Sequence, residues 1–385
     1  MNLDELRLKF STIYGTRSMD AFFSPSRINI IGEHIDYNGG KVLPGAIELG
    51  TYGLVRKRGD NILCLASENI DLKVEVDIDD LRFNIEDGWG NYPKGVLYFI
   101  REAGYNIEGM DILIEGNIPN GAGLSSSASL ELLIGEMVND LFNGGRIPRI
   151  ELVKICQRAE NDFVGVKCGI MDQFAIGMGR RNKAILLDTN ILKYEYIDMD
   201  LKDNIIVIMN TNKRRELSNS KYNERRAECE LGLEIIRKYK NIENLCDLEI
   251  EEYERLRDYI SQDNIRNRVE HAVYENHRVN RTSDALKKGD IQLVGRLLIE
   301  SHNSLRNLYE VTGRELDCIV DSANEYPHCL GARMTGAGFG GCAIAIVKKN
   351  KVEEFMDFVG NRYREEIGYD GEFYITDIGD GVKKI

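Results

Sequence analysis

The pattern of hydrophobic and polar positions predicts one strongly marked helix, which covers residues 127–143. Hydrophobic side chains recur there at three- and four-residue spacing, which is the period of a helix with one buried face. The members of that face are Leu130, Leu133, Ile134, Met137, Val138 and Leu141. Residues 110–115 predict a strand that leads into the loop before this helix.

The same reasoning predicts further elements on both sides of this helix. Before it we expect an amphipathic helix and turn within 1–20, a strand over 26–31, an antiparallel meander within 42–76 and a helix over 92–102. After it we expect a helix over 150–163 and strands over 183–187, 194–197 and 205–209. The rest predicts helices over 221–240, 251–259, 266–288, 291–309 and 352–367, with strands over 342–347 and 372–377. The chain is therefore expected to be α+β, with two domains at 1–200 and 201–385.

The bulk composition excludes several classes of partner. A chain of 385 residues that is 43% hydrophobic and 29% charged fits two globular domains. The net charge of −13 repels nucleic acid and anionic membranes, so any phosphate binding must be local. The amino terminus lacks a basic-then-apolar signal, and the longest purely apolar run, 205–209, is far too short to span a membrane. We expect a cytoplasmic monomer with no nucleic-acid or membrane partner.

Cysteine and histidine spacing argues against a metal centre built by the protein alone. The eight cysteines include no CxxC pair, and the five histidines form no HxxxH or HExxH cluster. A zinc site and a disulfide framework are both unexpected.

The loop before the 127–143 helix has the composition of a phosphate cradle. Gly121 and Gly123 let the backbone turn and present its N–H groups, and the run Ser125 to Ser127 follows at once. Unpaired amides and the positive end of the helix dipole favour an anion there. The alternative is a serine-capped helix after a polar turn. The chain has no Gly-Lys-[Ser/Thr] and no protein-kinase signature, so Mg²⁺ or distant basic residues must supply the neutralising charge.

A second polar loop, residues 32–40, has the composition of a sugar-binding loop. It places two carboxylates, an imidazole, a phenol and an amide between glycines, and these groups can hydrogen-bond several hydroxyls. A solvated hairpin loop remains the alternative. Arg27, on the strand before it, is either a buried ion-pair partner or a cation aimed at ligand charge.

Other candidate residues keep two interpretations each on the sequence alone. Asp172 lies in an apolar, glycine-hinged segment and is either a helix cap or a general base. Glu160 lies near a helix end, where exposure is commoner than metal binding. Tyr222 either faces inward across the domain junction or lies on the surface. The glycine cluster 331–341 permits close approach to another loop or to a ligand.

Three of these stretches resemble the signature motifs of the GHMP small-molecule kinases, and within that superfamily they resemble the galactokinase family. They are the segment from Arg27 to Gly40, the segment from Pro119 to Ser129, and the glycine cluster 335–341. Residues 168–173 and 210–212, together with Tyr222, are also similar in order and spacing.

The resemblance implies a fold and an activity. It implies a two-domain GHMP kinase fold, with an N-terminal domain like the second domain of ribosomal protein S5, a ferredoxin-like C-terminal domain and the active site in the cleft between them. The implied reaction transfers the γ-phosphoryl group of ATP to the anomeric hydroxyl of α-D-galactose, with Mg²⁺, as the first committed step of galactose catabolism, the Leloir pathway.

The resemblance also implies roles for individual residues. Asp172 would accept the C1 hydroxyl proton, and Arg27 would stabilise charge on the moving phosphoryl group. Ser127 and Glu160 would hold Mg²⁺. The expected sugar contacts are Glu33, His34, Ile35, Asp36 and Tyr222. The expected ATP contacts are Ser67, Gly121, Ala122, Gly123, Leu124, Ser125, Ser126 and Ser127.

Two positions depart from the family pattern. Position 26 is Ser where the family usually has Gly, so a Cβ must fit that backbone. Position 35 is Ile where many members have Thr, and N-acetylgalactosamine kinases also tend to carry Ile there. That kinase activity is one alternative. A galactose and ATP sensor without catalysis is the other, but such sensors have a shortened serine loop, whereas Ser125 to Ala128 is intact here.

Overall fold

The computed structural model describes residues 2–119, 122–213 and 218–385. Its strands are β1 (Asp20–Asn29), β2 (Lys41–Val42), β3 (Pro44–Lys57), β4 (Ile62–Ser67), β5 (Val74–Asp77), β6 (Met110–Gly116), β7 (Lys183–Asp188), β8 (Lys193–Asp198), β9 (Asn204–Asn210), β10 (Cys329–Met334), β11 (Cys342–Lys348), β12 (Glu372–Thr376) and β13 (Lys383–Lys384). Its α-helices are α1 (Leu3–Tyr14), α2 (Asn91–Glu102), α3 (Ser126–Asn143), α4 (Arg149–Arg158), α5 (Met171–Met178), α6 (Ser218–Arg237), α7 (Ile250–Leu256), α8 (Asp263–Lys288), α9 (Ile291–Ser304), α10 (Arg314–Glu325) and α11 (Val352–Ile367).

The first large sheet has six strands in the order β13-β1-β3-β6-β4-β5. The sequence predicted an antiparallel meander over 42–76. This prediction is wrong for β2 and β4, neither of which pairs with β3. β6 lies between β3 and β4, and it pairs antiparallel with β3 and parallel with β4. A parallel neighbour needs a long crossover, usually a helix, and α2 lies in the connection that returns to β6. β2 leaves this sheet altogether and pairs with β7, which also pairs with β8.

The second large sheet has four strands in the order β10-β11-β9-β12, and all its pairs are antiparallel. Helices α9, α10 and α11 pack against this sheet. The predicted α+β class is confirmed. The last strand, β13, returns to the first sheet beside β1. The division at residue 200 stays a prediction.

Several predicted helices end earlier than their hydrophobic pattern. The pattern over 150–163 is α4 followed by a π-helical turn at Ala159–Val164, and the pattern over 291–309 is α9 followed by a second π-helical turn at Leu305–Tyr309. A π-helical turn inserts one extra residue, so the side chains after it are rotated relative to those of the helix. The sequence analysis also missed α10, β10 and β13. Within the described residues, no helix has the length and apolar composition needed to cross a bilayer.

Helix α9 and strand β10 pack backbone against backbone. A Cβ on Gly295 would lie 2.1 Å from the carbonyl oxygen of Leu330, and a Cβ on Gly331 would lie 2.0 Å from the carbonyl oxygen of Gly295. Carbon and oxygen atoms do not approach so closely, and a backbone carbonyl cannot rotate away as a side chain can. Glycine is therefore required on both elements.

We predict that Gly295→Ala lowers the free energy of unfolding by about 1–3 kcal/mol or more, because the new methyl group forces α9 away from β10. Alanine improves helix propensity by only about 1 kcal/mol, so the clash dominates. Gly59→Ala is the control, because no atom lies within 4 Å of the place that its methyl group would take. Denaturant unfolding of both variants measures the difference. Equal stability of the two variants would contradict the close packing of α9 on β10.

Candidate active site

A cavity of about 220 Å³ brings together most of the predicted sugar and catalytic residues. Its walls come from the 32–37 loop, the 165–172 segment, the second turn of α6 and the glycine cluster. The lining residues are Arg27, Glu33, His34, Asp36, Tyr37, Gly165, Val166, Lys167, Cys168, Gly169, Met171, Asp172, Tyr222, Asn223, Gly336 and Ala337. Tyr222 therefore faces inward, which answers the question that its sequence position left open.

Arg27 and Asp172 form a two-pronged ion pair at the floor of this cavity. The Arg27 Nε and Nη2 atoms donate to the two Asp172 carboxylate oxygens, at 2.8 Å each. Nη1 donates to the carbonyl oxygen of Gly123 at 3.0 Å, so the same guanidinium also holds the glycine–serine loop. β1 has a register shift between Pro25 and Arg27, and such bulges re-aim side chains next to functional sites.

Asp172 lies in the first turn of α5, and Ile170 is the cap of that helix. The cap interpretation of Asp172 is thus not what the structure shows. Its side chain is 27% exposed, towards the cavity, and it also accepts a hydrogen bond from the hydroxyl of Ser125. Ser125 is the N-cap of α3, so the start of that helix and the carboxylate of Asp172 are in direct contact.

Ser26, one of the departures from the family pattern, fits its position. The side chain is fully buried, and its hydroxyl donates to the carbonyl oxygen of Leu124. The serine side chain therefore adds a hydrogen bond between β1 and the glycine–serine loop. Ala122 and Leu124 are buried in that loop, and Gly121 lies outside the described residues.

Glu160 is buried, contrary to the exposure that its place near a helix end suggested. It belongs to the π-helical turn after α4, and its carboxylate contacts Ser127 of α3. The Ser127 hydroxyl donates to Glu160 Oε1 at 3.0 Å, and the Gln173 amide donates to Oε2 at 2.7 Å. Burial, followed by the nearby charge of Asp172, raises the pKa of Glu160 to about 7.

The sequence analysis assigned no role to Gln173 and Glu131, two buried residues beside Ser127 and Glu160. Gln173 Nε2 donates also to Glu131 Oε2, at 3.0 Å, and both side chains are fully buried. A signal was present in the sequence. Glu131 follows Ser127 by four residues and so lies on the same face of α3.

A second cavity, of about 210 Å³, lies on the other side of the α3 amino terminus. Ser67 lines it together with Asn69, Trp89 and Tyr92, and the nucleotide contact of Ser67 stays a prediction. Ser126 and Ser127, in the first turn of α3, also line it. The first turn of α3 thus separates an aromatic cavity from the cavity that contains Asp172.

His34 is held in one tautomer by its two neighbours. Its Nε2 atom lies 3.0 Å from the carbonyl oxygen of Ala337, which can only accept, so Nε2 carries the proton. Nδ1 then accepts from the Tyr37 hydroxyl at 2.7 Å, and that hydroxyl in turn lies 2.9 Å from the hydroxyl of Tyr309. Burial lowers the pKa of His34 to about 3, so the imidazole is neutral at physiological pH. Its ring is 5.5 Å from that of Tyr222.

Glu33 joins the 32–40 loop to the glycine cluster. Oε1 accepts from the Thr335 hydroxyl and from the Gly336 amide, and Oε2 accepts from Asn29 and from buried Arg333. The glycine cluster therefore packs closely against another loop. This is one of the two interpretations that the sequence left open. Every carboxylate lone pair of Glu33 is used by these donors.

Asp36 and Ile35 have different surroundings although they are adjacent. The Asp36 carboxylate lies so near Gly169 that a Cβ there would be 1.7 Å from Oδ2, so only glycine fits at position 169. Burial, followed by Asp172, raises the pKa of Asp36 to about 6. Ile35 is fully buried and is absent from the cavity wall, so the structure does not bring it to the other predicted sugar residues.

The comparisons with known proteins match the whole chain. Family models match at residues 8–57 (galactokinase galactose-binding signature), 91–180 (GHMP kinases N terminal domain) and 282–365 (GHMP kinases C terminal). Galactokinase of Clostridium tetani is 57% identical over 100% of this chain and 98% of its own length. Galactokinase of Streptococcus thermophilus is 54% identical over 100% of this chain and 99% of its own length.

Solved structures agree with these relatives. Lactococcus lactis galactokinase complexed with galactose is 48% identical and superposes with a TM-score of 0.97 over 100% of both chains. Methanococcus jannaschii mevalonate kinase, at 21% identity and a TM-score of 0.69 over 95% of this chain and 100% of its own, shares the fold.

We predict that Asp36 makes the unliganded protein less stable as pH rises from about 4 to about 6. The folded-state pKa of Asp36 is about 6 and its ordinary value is 3.8, so in this range the folded protein holds a proton that the unfolded chain has released. The free energy of unfolding of Asp36→Asn, relative to wild type, should therefore rise by up to about 3 kcal/mol across this range.

Denaturant unfolding at several pH values checks this prediction. Asp284→Asn, on an exposed residue of α8 outside the cavity, is the matched control and should show no such rise. A stability difference between Asp36→Asn and wild type that does not change with pH would show that the Asp36 carboxylate ionises without penalty.

Proposed function

The chain belongs to the galactokinase family, within the GHMP kinases, and from this membership we infer that it transfers the γ-phosphoryl group of ATP to the anomeric hydroxyl of α-D-galactose. The observation that carries this function is full-length identity of 57% and 54% to two galactokinases. The galactose-binding signature at residues 8–57 contains the whole 32–40 loop. The enzyme is thus a phosphotransferase with an alcohol acceptor, and neither a sensor role nor N-acetylgalactosamine is favoured.

Galactose occupies the cavity that Asp36, His34 and Tyr222 line. The Asp36 carboxylate accepts hydrogen bonds from neighbouring sugar hydroxyls, and in its ionised form both of its oxygens act as acceptors. His34 is a neutral ring of fixed tautomer beside Tyr222, so it contributes shape and polarity without charge. Glu33 Oε1 already accepts from two donors. A sugar hydroxyl that binds Glu33 there shares this oxygen with them.

Asp172 and Arg27 stand where the sugar and the phosphate meet. The Asp172 carboxylate, whose Oδ1 accepts only from Arg27 Nε among the described residues, receives the proton of the C1 hydroxyl, and Arg27 stabilises the charge that develops on the transferred group. The guanidinium is anchored by its bond to Gly123, so it needs no rearrangement when charge appears. An arginine in this role contributes about 10³- to 10⁵-fold in phosphoryl transfer, and a general base about 10²- to 10⁴-fold.

The nucleotide occupies the second cavity, with its base between Ser67, Trp89 and Tyr92 and its phosphates along residues 121–127. This placement follows from the position of α3, whose amino terminus closes that cavity and favours negative charge. Both ends of the reaction therefore converge on the first turn of α3.

Ser127 and Glu160 fit a magnesium ion. They offer a hydroxyl and a carboxylate oxygen 3.0 Å apart, and Mg²⁺ in such enzymes is held by one or two carboxylates plus substrate phosphates. Among the residues that the structure describes, no cluster of three or more histidine, cysteine or acidic side chains could hold a metal alone. A magnesium ion held there by Ser127 and Glu160 would neutralise charge on the phosphates.

The direct test of function is ADP release with ATP and a panel of galactose, N-acetylgalactosamine, glucose and arabinose. We expect turnover to be highest with galactose. Faster turnover with N-acetylgalactosamine would reassign the substrate, and binding of galactose and ATP without ADP release would make the protein a sensor.

We predict that Asp172→Asn lowers kcat by about 10²- to 10⁴-fold, because the amide cannot accept the C1 proton. The amide oxygen can still accept one bond from Arg27, so the Kd of ATP should stay within a few-fold of wild type. Steady-state kinetics and calorimetry measure the two effects, with Asp284→Asn as the control that keeps wild-type kcat. A near-normal kcat for Asp172→Asn would remove this residue from the role of base.

A further inference from the structure

The side chain of Gln173 bridges two buried carboxylates with one amide nitrogen. One hydrogen of Nε2 is donated to Glu160 Oε2 at 2.7 Å and the other to Glu131 Oε2 at 3.0 Å. An amide nitrogen has two hydrogens, so both are used. The other donor to Glu160 Oε2 is the thiol of Cys168 at 3.6 Å, which is a weak donor. Gln173 is thus the main group that fixes this oxygen.

Fixing one carboxylate oxygen orients the other. With Oε2 held by Gln173, Glu160 Oε1 is directed to the Ser127 hydroxyl at 3.0 Å. The carboxylate plane is then set before any ligand arrives. Without the amide, Oε2 would keep only the thiol, and the carboxylate could rotate away from Ser127.

The arrangement is not one that stability alone explains. Within the described part of the chain, Glu131 Oε1 and Gln173 Oε1 are buried without a hydrogen-bond partner. A buried polar atom without a partner costs about 1–3 kcal/mol, so a hydrophobic cluster of the same volume would be more stable here. Unsatisfied buried groups of this kind point to a functional requirement.

We propose that Gln173 is a positioning residue that presents the Glu160 carboxylate, beside Ser127, to the magnesium ion of the bound nucleotide. The proposal rests on the metal role proposed for Ser127 and Glu160. It also explains why Gln173 directly follows Asp172. Successive helical residues point about 100° apart, so the first turn of α5 directs one side chain to the sugar cavity and the next to the metal pair.

The test measures how much Mg²⁺ strengthens nucleotide binding. Calorimetry gives the Kd of adenylyl imidodiphosphate, a non-hydrolysable ATP analogue, in excess Mg²⁺ and in EDTA, and the ratio of the two values is the magnesium gain. Gln173→Met keeps the volume of the side chain and removes the donor. We expect its magnesium gain to fall about 10-fold or more, the usual effect of losing a partner that orients a metal ligand. The Kd in EDTA and the Kd of galactose should stay within twofold of wild type.

Two further variants calibrate the measurement. Ser127→Ala removes a proposed ligand and should lose at least as much magnesium gain as Gln173→Met. Glu131→Gln is the matched control, because its amide oxygen can still accept the second hydrogen of Gln173, and it should keep the wild-type gain.

The outcomes separate this inference from the proposed function. No magnesium gain in the wild-type protein would overturn the metal role of Ser127 and Glu160, and the inference with it. A wild-type gain that Gln173→Met retains, or an equal loss of affinity in Mg²⁺ and in EDTA, would overturn the inference alone. If Gln173→Met does not fold, Gln173→Asn, whose shorter amide cannot reach both carboxylates, is measured by the same criteria. Unfolding of both variants would assign the bridge to stability and overturn the positioning role.

Discussion

The ion pair between Arg27 and Asp172 is the interaction on which the rest of the site depends. It joins β1 to α5 across 145 residues of sequence, and through Gly123 it also fixes the loop before α3. Removing a guanidinium and a carboxylate from water is costly, and the attraction offsets this cost only when the geometry is good. Here both carboxylate oxygens receive a donor. The same guanidinium thus holds Asp172, which lines the first cavity, and the loop that leads into α3, whose Ser126 and Ser127 line the second.

Much of the fold could be predicted because local periodicity encodes helices and strands. The helix at 126–143 and the strand at 110–116 were expected within a residue or two, and the helix at 352–367 was expected at both ends. What the pattern does not encode is the order of strands in a sheet. The position of β6 between β3 and β4 depends on how α2 packs, which no stretch of the sequence states by itself.

The residues of the site were harder to predict from the sequence than the helices and strands. Arg27 and Asp172 each had two interpretations of similar weight, and only the resemblance to a known family put them together. Glu160 was expected to be exposed because it lies near a predicted helix end, whereas it follows buried Val153 and Cys156 by seven and four residues and so shares their face. The bridge by Gln173 was missed because its meaning depends on two partners, 13 and 42 residues away.

The short strand β13 has a practical consequence for handling the protein. Lys384 and Lys383 pair with Phe22 and Phe23 of β1, and the Ile385 amide donates to the Ala21 carbonyl. Without that pairing, β1 would present an open edge flanked by aromatic side chains, which is a template for aggregation. An affinity tag fused after Ile385 would begin directly beside this edge and compete with its pairing, so a tag placed ahead of α1, outside the sheet, is the safer choice for purification.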